Sequence, residues 1–82
     1  QENSLFSVHP NPTDSAFTVS LVNATESFSM EVFNITGMSI YKEKDMDPSN
    51  NTVDVSSYSS GVYLIYLKTQ SGATQVRKLI VN

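Results

Sequence analysis

The sequence predicts an all-β protein, a small antiparallel β-sandwich of about seven strands with an immunoglobulin-like architecture. Apolar side chains recur at every second position in short runs, Ser, Asn, Asp, Gly and Pro separate those runs, and no stretch carries the 3.6-residue period of an amphipathic helix. With 82 residues there is room for one domain and one core. A hydrophobic fraction of 39% against 16% charged residues lies in the globular range rather than the disordered one.

Leu5 to Val8 reads as a first short strand. Phe17, Val19 and Leu21 then alternate with Thr18 and Ser20, and Phe28, Met30 and Val32 alternate with Ser29 and Glu31, so each run turns one face inward. Asn34-Ile35-Thr36-Gly37 follows, with a turn-initiating amide first and a glycine fourth, where a type I turn with a bulge needs positive φ; it predicts a hairpin. Met38 to Glu43 returns as a strand, and Asp45 to Asn51 reads as a polar loop around Pro48, which cannot join a ladder.

Val53 and Val55 restart the alternation, and the serine-rich stretch Ser56 to Ser60 fits a corner between strands. Gly61 to Leu67 is apolar on both faces, which suits a central strand in a two-layer protein. Gln70-Ser71-Gly72 turns the chain into a last strand, Ala73 to Val81, paired to that spine. Residues 1–4 read as a polar linker from an upstream domain and residues 5–82 as the domain itself.

Composition excludes several classes of function. The chain has no cysteine, so neither disulfides nor thiolate metal sites are available, and the apolar core must hold the fold alone. A chain this short buries about 60 to 65% of its unfolded surface, for a net stability of about 4 to 10 kcal/mol. A net charge of −3 with five Lys or Arg argues against nucleic acid and anionic membranes as partners. No run approaches the roughly 20 apolar residues of a transmembrane helix, and Gln1-Glu2-Asn3-Ser4 is unlike a signal peptide.

The chemistry-bearing residues are sparse. His9, the one histidine, precedes Pro10 in an expected surface turn, with no carboxylate placed to orient it, so neither a Ser-His-Asp centre nor a zinc site is expected. Asp45, Asp47 and Asp54 with Asn50 and Asn51 offer oxygens to calcium but lack the glycine and bidentate glutamate of an EF-hand loop, so a solvated turn is the simpler reading. Asn23, Asn34 and Asn50 begin three Asn-x-Ser/Thr triplets, which turn chemistry explains as well as glycosylation does. Tyr41, Tyr58, Tyr63 and Tyr66 are candidates for a sugar-stacking platform, although alternation puts Tyr63 and Tyr66 on opposite faces and favours core packing. No cofactor is expected.

Four boxes in order carry a family resemblance. Val8-His9-Pro10-Asn11-Pro12-Thr13 leads into Phe17-Thr18-Val19; Val32 to Ile40 contains Asn34 three residues before Gly37; Val53 to Leu64 ends in Gly61-Val62-Tyr63; and Arg77-Lys78-Leu79-Ile80-Val81 sets cations before an apolar finish. Over Leu5 to Asn82 the chain resembles the type IX secretion (Por secretion) C-terminal sorting domain, with His9 where the family usually has tyrosine and Asn82 where a terminal lysine is frequent.

The resemblance implies a non-catalytic signal that directs an upstream cargo across the outer membrane. Its implied partners are the outer-membrane type IX machinery and a sortase-like peptidase that cuts at or before residues 1–4. It further implies transit through the periplasm to the cell surface or the medium, in many family members with attachment of the cargo to surface lipopolysaccharide. Pro10, Asn11, Pro12, Asn34, Gly37, Gly61, Tyr63, Arg77, Lys78, Leu79 and Val81 are the residues it marks. Arg77 and Lys78, two cations beside an apolar run on an acidic protein, suggest that recognition uses a folded surface containing the last strand. An adhesive or carbohydrate-binding sandwich module appended to an extracellular enzyme shares the same expected architecture.

Overall fold

A computed structural model of the chain describes residues 5–10, 12–22, 25–49 and 51–82. Its strands are β1 (Phe6–His9), β2 (Ala16–Leu21), β3 (Phe28–Phe33), β4 (Ser39–Met46), β5 (Asn51–Asp54), β6 (Gly61–Thr69) and β7 (Thr74–Val81), and no helix occurs among the described residues. They form a three-stranded sheet in the order β1-β2-β5 and a four-stranded sheet in the order β4-β3-β6-β7, with every named pair antiparallel. The β1–β2, β3–β4 and β6–β7 links stay within a sheet. Those from β2 to β3, β4 to β5 and β5 to β6 cross between sheets, the Greek-key winding of an immunoglobulin-like sandwich.

The alternating positions close the core as expected. Phe6, Val8, Phe17, Val19, Leu21, Val53 and Val55 face inward from the small sheet, and Phe28, Met30, Val32, Met46, Tyr63, Ile65, Leu67, Leu79 and Val81 face them from the large one. Phe6 and Phe28 meet edge to face across the layers, with ring centroids 5.1 Å apart and planes at 65°, a geometry that adds a directional term to simple burial. A radius of gyration of 12.0 Å, against about 12 Å expected for this length, makes the sandwich one compact body.

Two segments differ from their sequence expectation. The expected polar loop from Asp45 begins too early: β4 runs to Met46, which is buried opposite Phe28. A register shift between Phe28 and Met30 absorbs an extra residue, and Asp45 takes a φ of 56°, so a bulge hides Met46 behind the charged stretch Lys42 to Asp45. The bulge and the flanking charges also blunt an edge strand that would otherwise invite pairing.

The second difference concerns β6, which is central between β3 and β7 but has no layer over its outer face among the described residues. Val62, Leu64 and Tyr66 there are exposed while Tyr63, Ile65 and Leu67 alternate with them in the core.

Candidate functional site

The strand registers bring several of the marked residues, Asn34, Gly61, Tyr63, Leu79 and Val81, to one end of the sandwich. Gly61 pairs with Val81 and Tyr63 with Leu79, so β6 starts where β7 finishes. Phe33 pairs with Leu64, which places the 34–38 turn beside the first residues of β6. Thr13 forms a parallel bridge to Val81, delivering the segment after Pro10 and Pro12 to the same end. Asn34, Ile35 and Thr36 accordingly line one shallow groove with Ser60, Gly61 and Tyr63, about 320 Å³ in volume. Asn11 lies outside the described residues.

Thr13 fastens this end. Its amide donates to the Ile80 carbonyl at 2.8 Å, its carbonyl accepts from the Asn82 amide at 2.9 Å, and its buried hydroxyl donates to the Ala16 carbonyl. The Asn82 side-chain amide also donates to Asp14 Oδ1 at 3.0 Å. A small polar residue after Pro-Asn-Pro gives no periodic signal, so this clamp was not among the sequence candidates. Burying Thr13 is tolerable because each of these polar groups is bonded.

The hairpin turn is held by a side chain standing in for backbone. Asn34 Oδ1 accepts from the Thr36 amide at 3.1 Å, the Thr36 hydroxyl at 2.7 Å and the Met38 amide at 2.9 Å, while Gly37 donates its amide to the Asn34 carbonyl at 2.9 Å. Gly37 sits at φ 89° with open space where a Cβ would stand, so it is required by conformation and not by crowding. This order holds Ile35, 81% exposed, and Met38 outward at the tip.

Tyr63 is buried at the start of β6. Its hydroxyl donates to the Ser59 carbonyl at 2.6 Å and its ring leans on Tyr58 at 5.3 Å, so it braces the serine-rich corner from inside. The Tyr58 hydroxyl has no hydrogen-bond partner among the described residues, and burial, with Tyr63 and Asp54 nearby, pushes its pKa above the ordinary tyrosine range.

Arg77 and Lys78 are neighbours in sequence but face opposite ways. Arg77 turns toward the small sheet, its Nη1 donating to the Phe6 carbonyl at 2.7 Å, while Lys78 lies across from Leu64 on the outer face. Gln75 accepts from the Leu5 amide at 3.2 Å, so β7 is tied to the β1 side of the small sheet at two places. The pair is therefore one inter-sheet tie and one outer-face cation.

The remaining candidates disperse. His9 ends β1, exposed and paired with Thr18. Asp47 accepts from Ser49 and Asp54 from Ser56, turn-capping bonds that draw both carboxyls below their ordinary range, and no cluster of three His, Cys, Asp or Glu occurs among the described residues. Asn23 and Asn50 fall outside the described residues, while the Asn34 oxygen is engaged in its turn. The tyrosines make no shared platform: Tyr63 is buried, Tyr66 points outward, and Tyr41 on β4 donates its hydroxyl to Glu43, which with burial pushes its pKa up to about 12.

A family model described as secretion system C-terminal sorting domain matches residues 7–82, spanning all four boxes. An ulvan lyase of Nonlabens ulvanivorans is 35% identical over 75 residues, which make up 92% of this chain and 14% of the lyase. The similarity thus covers nearly the whole sandwich but a small fraction of that much larger protein.

Proposed function

The chain belongs to the family of secretion system C-terminal sorting domains, the signal of type IX secretion, and from that premise we propose that its folded sandwich is what the outer-membrane machinery reads. Export to the cell surface or the extracellular space goes with that membership. On this reading a cargo precedes the domain through a polar linker at residues 1–4, the fusion crosses the periplasm folded, and a sortase-like peptidase releases the domain at or before that linker. The domain is a substrate of the pathway and performs no chemistry of its own.

The observation that carries this proposal is the convergence of the boxes. Residues separated by most of the sequence meet at one end only because both sheets have formed, with Thr13 bridged to Val81 and Gly61 paired to the same residue. An unstructured tag would leave these boxes apart, and any reader of their joint surface would then find nothing to bind. In support of this reading, Asn34, Gly61 and Tyr63 line the groove at that end, Gly37 closes the adjoining hairpin turn, Thr13 after Pro10 and Pro12 bridges to Val81, and Leu79 and Val81, buried in the core, hold β7 against β6.

The test is to fuse residues 1–82 behind an exported reporter in a bacterium with an active type IX system. The expected result is reporter at the surface or in the medium, shortened by about the mass of the domain. Reporter retained in the periplasm at full length would contradict the proposal.

A further inference from the structure

We infer that the outer face of the four-stranded sheet docks a folded protein partner whose contact surface has an apolar centre ringed by carboxylates. The inference rests on the sorting reading above and assigns to it a surface distinct from the motif end. On this face the registers line up Val62 beside Ile80, Phe33 beside Leu64 and Lys78, and Glu31 beside Tyr66 and Val76. Val76 is 58% exposed and Leu64 45%, with Val62 and Tyr66 also open to solvent, and Ile35 shares a groove with Val62 that extends the apolar strip to the hairpin tip. A contiguous apolar strip on a small monomer marks a contact surface more often than scattered single residues do.

The charges decide what fits. Of five Lys and Arg, Arg77 turns inward and the other four border this face. Lys42 lies across from Glu31, Lys44 and Lys42 share a groove with Tyr66, Lys68 follows Tyr66 on β6, and Lys78 lies across from Leu64. On a chain of net charge −3, this concentrates the positive potential on one side and pairs it with an apolar centre.

A second copy docked through the same face would bring two lysine rims together, which costs energy. An anionic bilayer sets negative charge across its whole plane, against Glu31 in the strip and the acidic remainder of the chain, whereas a protein partner can confine its carboxylates to the lysine rim and leave its centre apolar. A protein surface with matching carboxylates satisfies both the centre and the rim, and the apolar and charged parts make separable contributions.

The experiment uses the reporter fusion with two chemically different face variants, Leu64→Thr/Val76→Thr and Lys44→Glu/Lys68→Glu, which leave the Lys42–Glu31 pair in place, and a control, Thr52→Glu, on β5 of the other sheet. β-Branched or charged replacements at these exposed strand positions should leave the melting temperature within about 3 °C of the parent. Delivery by both face variants is expected to fall by about tenfold or more, while the control matches the parent.

Parent-level delivery by both face variants would overturn the inference while leaving the sorting reading in place. Failure of the parent fusion would overturn both. Flotation of the isolated domain with vesicles of phosphatidylethanolamine and phosphatidylglycerol, abolished in the lysine variant, would assign the face to lipid. A dimer in sedimentation, abolished by Leu64→Thr/Val76→Thr, would assign it to a second copy. Either result would overturn a protein partner.

Discussion

Phe6→Ala is expected to cost about 3 to 5 kcal/mol, a large part of the roughly 4 to 10 kcal/mol that holds a domain of this size together. Phe6 is 1% exposed and meets Phe28 edge to face, joining the outermost strand of the small sheet to the centre of the large one. Truncation leaves a cavity that β1, only four residues long, has few other apolar contacts to offset. In a chain without disulfides nothing else constrains the unfolded state. The midpoint in a thermal melt followed by circular dichroism should fall by about 15 to 30 °C. A fall of a few degrees would mean that β1 does not carry the sheet-to-sheet contact described.

Removing Thr74 to Asn82 is expected to leave no cooperative fold at all. β7 is paired with β6 over eight registered positions, buries Leu79 and Val81, ties to β1 through Gln75 and Arg77, and holds Thr13. Losing the burial of Leu79 and Val81 costs about 3 to 6 kcal/mol, before the broken ladder and the newly exposed flank of Tyr63, Ile65 and Leu67 are counted. Amide spectra of the truncated chain should collapse to the narrow dispersion of a random coil. Dispersed spectra would show that β7 is an appendage. Lost delivery on truncation therefore reports folding as much as recognition, so the face variants, which leave the fold intact, are the sharper probe of the surface.

Much of this architecture was legible because strand side chains alternate with a period of two. Phe17-Val19-Leu21 and Phe28-Met30-Val32 could be assigned to an inward face without knowing what they touch, whereas Gly61 to Leu67, apolar on both faces, revealed its buried set of Tyr63, Ile65 and Leu67 only in the fold. The Asn34 to Gly37 turn was equally readable, since positive φ at a glycine three residues after an amide is a local demand. Sheet order was not legible: which strands become neighbours depends on faces that meet only after the chain has crossed between layers.

The departures have the same origin. Met46 was hidden because an exposed edge strand needs no alternation and its bulge shifts the phase. Arg77 and Lys78 looked like one basic patch because adjacency in sequence is opposition across a strand. The Thr13 clamp left no pattern at all, being made of backbone bonds to a strand almost seventy residues away. At the candidate site, the family resemblance marked Asn34, Gly61, Tyr63, Leu79 and Val81, while only the registers showed that these five share an end.

The account stands on a single claim, that transport reads the closed sandwich. The most direct test is delivery of the Phe6→Ala reporter fusion measured at a series of growth temperatures against the parent, with the melting curve of the same variant measured alongside. Delivery is predicted to follow the folded fraction, near the parent level well below the variant's midpoint and lost above it. Delivery that continues undiminished above that midpoint, while the domain is demonstrably unfolded, would contradict the claim and make the signal a linear one.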